Sequence, residues 1–168
     1  LLQDDSLLKE FTKLTPLEQV VVNWQLGWLQ KAHKHQIEPV GDWWTIWLLN
    51  AGRGAGKTRA SAETLSSWAW EQPKTRWLVS APTSGDLRGT CFEGDSGLLE
   101  VIPKKLIRDY NKSLHELKLI NGSFIKGIPA SEPERFRGGQ WHGAWLDELA
   151  AWEYLQESWD MIQFAVRL

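Results

Sequence analysis

Apolar residues recur along this chain in several rhythms, and each rhythm predicts an element. Leu17, Val20, Val21, Trp24, Trp28 and Leu29 return at three- and four-residue spacing, which is one face of a helix. Thr15, Pro16 and Glu18 stand where an N-cap, a first-turn proline and a capping-box glutamate belong, so the helix should begin there. "HQIEPVGD" (35–42) breaks the pattern at Pro39 and Gly41. "WWTIWLLN" (43–50) has no polar alternation; this predicts a central strand buried on both faces. "KTRASAETLSSWAWEQ" predicts a helix that stops before Pro73, and "TRWLVSAPT" (75–83) a second buried strand. Residues 84–112 are mixed, with helical character around "GLLEVIP". Two alternating segments flank Asn121-Gly122, a strong hairpin signal. "WHGAWLDE" (141–148) is an apolar strand ending in two acids. The tail from Ala150 should be helical, with Trp152, Leu155, Trp159 and Ile162 on one side.

Strand, glycine-rich loop, helix, strand and a later strand describe an α/β domain with a mainly parallel sheet. The 168 residues suffice for one domain, and no repeat or low-complexity linker divides them. Twelve tryptophans call for large buried or partner-facing surfaces. A formal net charge of −2 means that any nucleic-acid contact must be a local patch. Cys91 is the single cysteine, which excludes an internal disulfide and a cysteine zinc site and fits a reducing cytosol. "WWTIWLL" is too short to cross a bilayer, so no membrane association is expected. Leu1 in place of a methionine and the ending "FAVRL" suggest a piece of a longer protein.

The chemistry concentrates in Ala51-Gly52-Arg53-Gly54-Ala55-Gly56-Lys57-Thr58, a P-loop pattern with alanine in the first glycine position. Glycines let successive backbone N–H groups turn towards one phosphate, and the following helix adds its positive end. Lys57 would reach the β- and γ-phosphates of ATP, and the Thr58 hydroxyl would bind Mg²⁺. The plain alternative is a flexible turn between a strand and a helix. Asp147 would join Thr58 in holding the Mg²⁺ shell, and Glu148 would polarise water for attack on the γ-phosphate. Capping of the next helix is the alternative for these two acids. Arg53 within the loop and Arg137 in "ERFRGGQ" are candidate arginine fingers, against the alternative of solvated surface arginines; Arg135 is read as structural. Gln36 carries the paired donor and acceptor that an adenine requires. Trp43 and Trp44 are better explained by core packing than by base stacking, and His33 and His35 as solvated helix-end cations rather than metal ligands.

"GDWWTIWLLNAGRGAGKTRASAE" with "FRGGQWHGAWLDELAAW" resembles the ATPase domain of the large terminase subunit of tailed bacteriophages. "HQIEP" is similar to that family's adenine-contacting segment, and "FEGDSGLL" (92–99) has its character too; the likeness spans about residues 36 to 153. The resemblance implies a P-loop NTPase fold of the ASCE/RecA-like kind, with a mainly parallel central sheet flanked by helices, an N-terminal helical segment (1–40), a core (41–168) and a β-hairpin. It implies an Mg²⁺-dependent ATPase that drives double-stranded DNA through a portal protein into a procapsid in the host cell cytoplasm. It further implies a small terminase subunit as partner and a homo-oligomeric ring, usually a pentamer. The family's Walker A residues fall on Ala51 to Thr58, its Walker B acids on Asp147 and Glu148, and its two arginine-finger places on Arg53 and Arg137. Its nuclease domain and the coupling motif after the acidic strand have no counterpart here. Competing readings are another P-loop ATPase of helicase type, a nucleotide switch, and a nucleotide-binding assembly module without turnover; the second acid, Glu148, and the intact Lys57-Thr58 pair weigh against the last two.

Overall fold

The structure is a computed structural model and describes residues 5–168. Helix α1 (Asp5–Lys13) precedes the helix that the apolar spacing predicts, α2 (Pro16–Lys31). The capping box of α2 forms as expected: Glu18 N donates to Thr15 Oγ1 at 3.3 Å, and Thr15 N donates to Glu18 Oε2 at 2.7 Å. A 3₁₀ turn, Lys34–Gln36, follows. Helix α3 (Lys57–Glu71) starts directly after the glycine loop and leads to β1 (Arg76–Ser80). A single turn, α4 (Ser84–Asp86), runs into a π-helical stretch (Leu87–Phe92), and a short α5 (Leu98–Val101) completes the mixed region. Three strands come next: β2 (Ile107–Asn111), β3 (Glu116–Leu119) and β4 (Phe124–Gly127). After a 3₁₀ turn (Pro133–Gly138) come β5 (Gly143–Leu146), a further 3₁₀ turn (Leu149–Ala151) and α6 (Leu155–Ala165).

The fold is α/β, but its sheet corrects the expectation of mainly parallel strands. The five strands lie in the order β2-β3-β4-β1-β5. β1 runs parallel to β4 and β5, whereas β2–β3 and β3–β4 are antiparallel. The cause is local. Asn121-Gly122 lies in a tight reversal in which Gly122 N donates to Leu119 O at 3.1 Å with Gly122 at φ +88°, and so short a turn can join only antiparallel neighbours. β2, which lies in the region the sequence left as mixed, adds by a second reversal.

β1 divides the core by its period of two. Trp77 and Val79 face one side, with Leu65 of α3, Leu87, Phe92, Leu117 and Ile125. Leu78 faces the other, with Phe136, Trp141, Trp152 and Ile162 of α6. Val20, Val21 and Trp24 of α2 pack against the first cluster while remaining half-buried. The inner face of α6 is Ser158, Ile162 and Ala165; Leu155, expected there, is exposed.

A second correction concerns residues 43–50. They form no strand, and Trp43, Ile46 and Leu48 are exposed. The apolar run suits a strand covered on both faces, but the described sheet ends at β5 and offers this segment no hydrogen-bonding neighbour. Trp44 packs against Trp68 of α3, ring centroids 6.2 Å apart, and Trp68 in turn against Trp77 at 5.6 Å.

Candidate functional site

The glycine loop turns through Gly54 (φ +79°) and Gly56 (φ +75°), and Gly56 caps the N-terminus of α3. Gly56 is required twice over. Its backbone is left-handed, and a Cβ there would lie 2.1 Å from Gln36 Nε2. Lys57 folds back over the loop, its Nζ donating to Ala51 O at 2.8 Å and Gly52 O at 3.2 Å. Ala55 N closes the turn onto Gly52 O at 3.3 Å. Thr58 stands half-buried in the first turn of α3. Arg53 is exposed at the loop's tip.

Gln36 is 7% exposed and lies against this loop. Its Nε2 donates to Ala55 O (3.3 Å) and Gly56 O (3.4 Å), and its Oε1 accepts from His33 N at 2.8 Å. His35 Nε2 also meets Ala55 O, at 3.2 Å, and its ring stacks on that of His33. His35 is exposed at the end of its 3₁₀ turn, as expected, and in addition touches the loop. A cleft of about 650 Å³ opens beside these groups, walled by His35, Gln36, Glu38 and Pro39 on one side and by Trp47 to Ala51 and Lys57 on the other. Trp43 and Trp44 stand outside that lining, their indoles donating to Val40 O and Pro39 O.

β5 delivers Asp147 to the carboxyl end of the sheet, and α3 packs against β5. Asp147 N donates to Ser80 O at 2.8 Å, and Trp152 Nε1 donates to Asp147 O at 2.8 Å, which fixes the turn after the strand. Burial pushes the Asp147 carboxyl above its ordinary pKa, and the neighbouring Glu148 adds to the rise; the Lys57 ammonium pulls the other way. The packing of α3 on β5 sets the loop lysine and the strand-end carboxylate at neighbouring element ends. Glu148 is exposed, with a left-handed backbone (φ +50°) that is costly for a non-glycine residue.

Asp86 also acts on Asp147, raising its pKa further. Sequence reasoning missed it, though the signal was present: "TSGD" after β1 is a capping box, with Thr83 Oγ1 donating to Asp86 Oδ2 at 2.6 Å and Asp86 N donating to Thr83 Oγ1 at 3.1 Å. Arg137 lies on the 3₁₀ turn packed against α6, and its ion pair is with Glu134 at 3.1 Å, not with the loop. Arg135 pairs with Glu132 at 2.9 Å. The structure thus brings together Gln36, Ala51 to Thr58 and Asp147, with Glu148 adjacent, and leaves Arg53 and Arg137 in solvent.

Among the described residues no cluster of three or more His, Cys, Asp or Glu could hold a metal alone. A magnesium ion needs no such cluster when a phosphate supplies most of its ligands. The donors present, one hydroxyl at Thr58 and one desolvated carboxylate at Asp147, are hard oxygens of the kind it prefers. Among the described residues no helix is long and apolar enough to cross a membrane.

A family model described as terminase large subunit, T4likevirus-type, N-terminal, matches residues 48–168. The chain belongs to this terminase family. The match takes in the glycine loop, α3, the whole sheet and the two acids after β5, while Gln36 and the Trp43–Trp47 stretch lie ahead of it. No curated protein matches the sequence.

Proposed function

We propose that this terminase chain is a P-loop NTPase core that binds and hydrolyses ATP with Mg²⁺ to drive double-stranded viral DNA into a procapsid. The observation that carries the proposal is geometric: α3, which begins at Lys57 directly after the glycine loop, packs against the parallel strand β5, which ends just before Asp147. Membership in the terminase family agrees with it.

Each residue then has a task. The amides of Gly52 to Lys57 and the N-terminus of α3 would receive the β- and γ-phosphates. Lys57 would exchange its bonds to Ala51 O and Gly52 O for phosphate oxygens. Thr58 and Asp147 would hold Mg²⁺, which when bound neutralises charge on the phosphates. Glu148, exposed beside Asp147, would take the proton from a water attacking the γ-phosphorus as the bond to the β–γ bridging oxygen breaks, giving ADP and phosphate. Arg53 or Arg137 would supply the finger, Arg137 from a neighbouring subunit of a ring. Portal protein, small terminase subunit and a pentameric ring in the host cytoplasm complete the proposed setting.

The test pairs equilibrium binding of a fluorescent ATP analogue, with and without Mg²⁺, with steady-state hydrolysis. Lys57→Ala should abolish binding. Glu148→Gln should keep wild-type binding and lose about 100-fold or more of turnover. Normal hydrolysis by Lys57→Ala would overturn the phosphate-loop assignment.

A further inference from the structure

We propose that His35 and Gln36 are positioning residues for the phosphate loop, holding the Ala55–Gly56 peptide so that its N–H faces the phosphate. The proposal rests on the phosphate-loop reading above and departs from the sequence expectation that Gln36 serves the adenine.

A trans peptide is planar, so its C=O and N–H point in opposite directions. Ala55 O receives two donors from the same turn, Gln36 Nε2 at 3.3 Å and His35 Nε2 at 3.2 Å. Holding that oxygen on the Lys34–Gln36 side turns the Gly56 N–H to the other side of the peptide, away from the turn. The second hydrogen of Gln36 Nε2 reaches Gly56 O, and Gln36 Oε1 is taken by His33 N. Both amide donors of Gln36 thus lie on the loop in this structure. Gly56 has no Cβ where the amide lies, so the two are fitted to one another. A loop set in advance loses less freedom when an anion binds, and that saving does not depend on what is attached to the phosphates.

The consequence separates loop positioning from base reading. ATP with Mg²⁺ and inorganic tripolyphosphate with Mg²⁺ are titrated calorimetrically into wild type, Gln36→Ala and His35→Ala. Both variants should weaken both ligands by the same factor, roughly five- to tenfold, the weight of one hydrogen bond. His35 is exposed, so His35→Ala carries the test should Gln36→Ala fail to fold, and His35→Gln, which returns an N–H donor, should recover affinity for both ligands. Loss of ATP affinity with tripolyphosphate unchanged would make Gln36 a reader of the base and overturn the proposal. Tripolyphosphate that fails to bind the wild type, or binds regardless of Lys57→Ala, would overturn the phosphate-loop reading itself and this proposal with it.

Discussion

Asp147 is a residue whose position costs the protein stability. Its folded pKa is raised, by burial first and by Glu148 second, so the folded state keeps its proton to higher pH than the unfolded chain does. The protonated carboxyl favours folding below the unfolded value of about 3.9, and that contribution is lost as pH rises through the folded value. At neutral pH the ionised group is therefore a net burden, which a bound cation would relieve. Asp147→Asn, melted in chelator without nucleotide, should have a higher melting temperature than wild type at pH 7, with the gain shrinking towards pH 4. A variant equally destabilised at every pH would remove the burden from this account. The residue types of the site were legible because loop chemistry is written in adjacent letters, Gly54 to Thr58 and Asp147-Glu148. The contact of His35 with the loop was not, because its partner, Ala55 O, is a backbone atom twenty residues away.

Elements were legible where their signals are local. The Thr15–Glu18 box, the Asn121-Gly122 turn and the stop before Pro73 each depend on a few neighbouring residues, and each appears where expected. What holds one element to another was not legible. Glu63 of α3, 3% exposed, accepts from Trp24 Nε1 of α2 at 2.9 Å and from Arg59 Nε and Nη2 at 2.9 and 2.6 Å. Burial raises its pKa, and the Arg59 hydrogen bond and charge oppose the rise. This carboxylate joins α2, which buries no residue completely, to the helix that begins at the glycine loop. Glu63→Ala leaves the Trp24 indole without its acceptor, while the more exposed Arg59 turns to water, and should cost about 1–2 kcal/mol in urea unfolding. A loss below about 0.5 kcal/mol would mean that α2 is held by its apolar contacts and by Gln25, which donates to Ser67 Oγ and Glu71 Oε1, rather than by Glu63.

At the scale of the whole molecule, the parallel strands β1, β4 and β5 end on one edge of the sheet, and β5, against which α3 packs, carries Asp147 to that edge. α/β sheets place ligands there because the turns that leave the strand ends are free to carry chemistry while the strands stay packed. On the far side of β1 the sheet widens through β4, which runs parallel to β1, and then through the antiparallel β3 and β2. The Trp43–Asn50 segment is where sequence pattern and structure part company. Periodicity reports that a segment can be buried on both faces, but only a neighbouring strand can bury it, and the sheet lends none. Ile46 is 58% exposed and outside the cleft lining, so it separates the two arrangements cleanly. Ile46→Ser should change unfolding free energy by no more than about 0.5 kcal/mol, as at an ordinary surface position. A central strand would instead lose about 2–5 kcal/mol on the same change, from lost burial and the cavity left behind. Urea denaturation of this one variant decides whether the wall of the cleft stands apart from the sheet or is part of it.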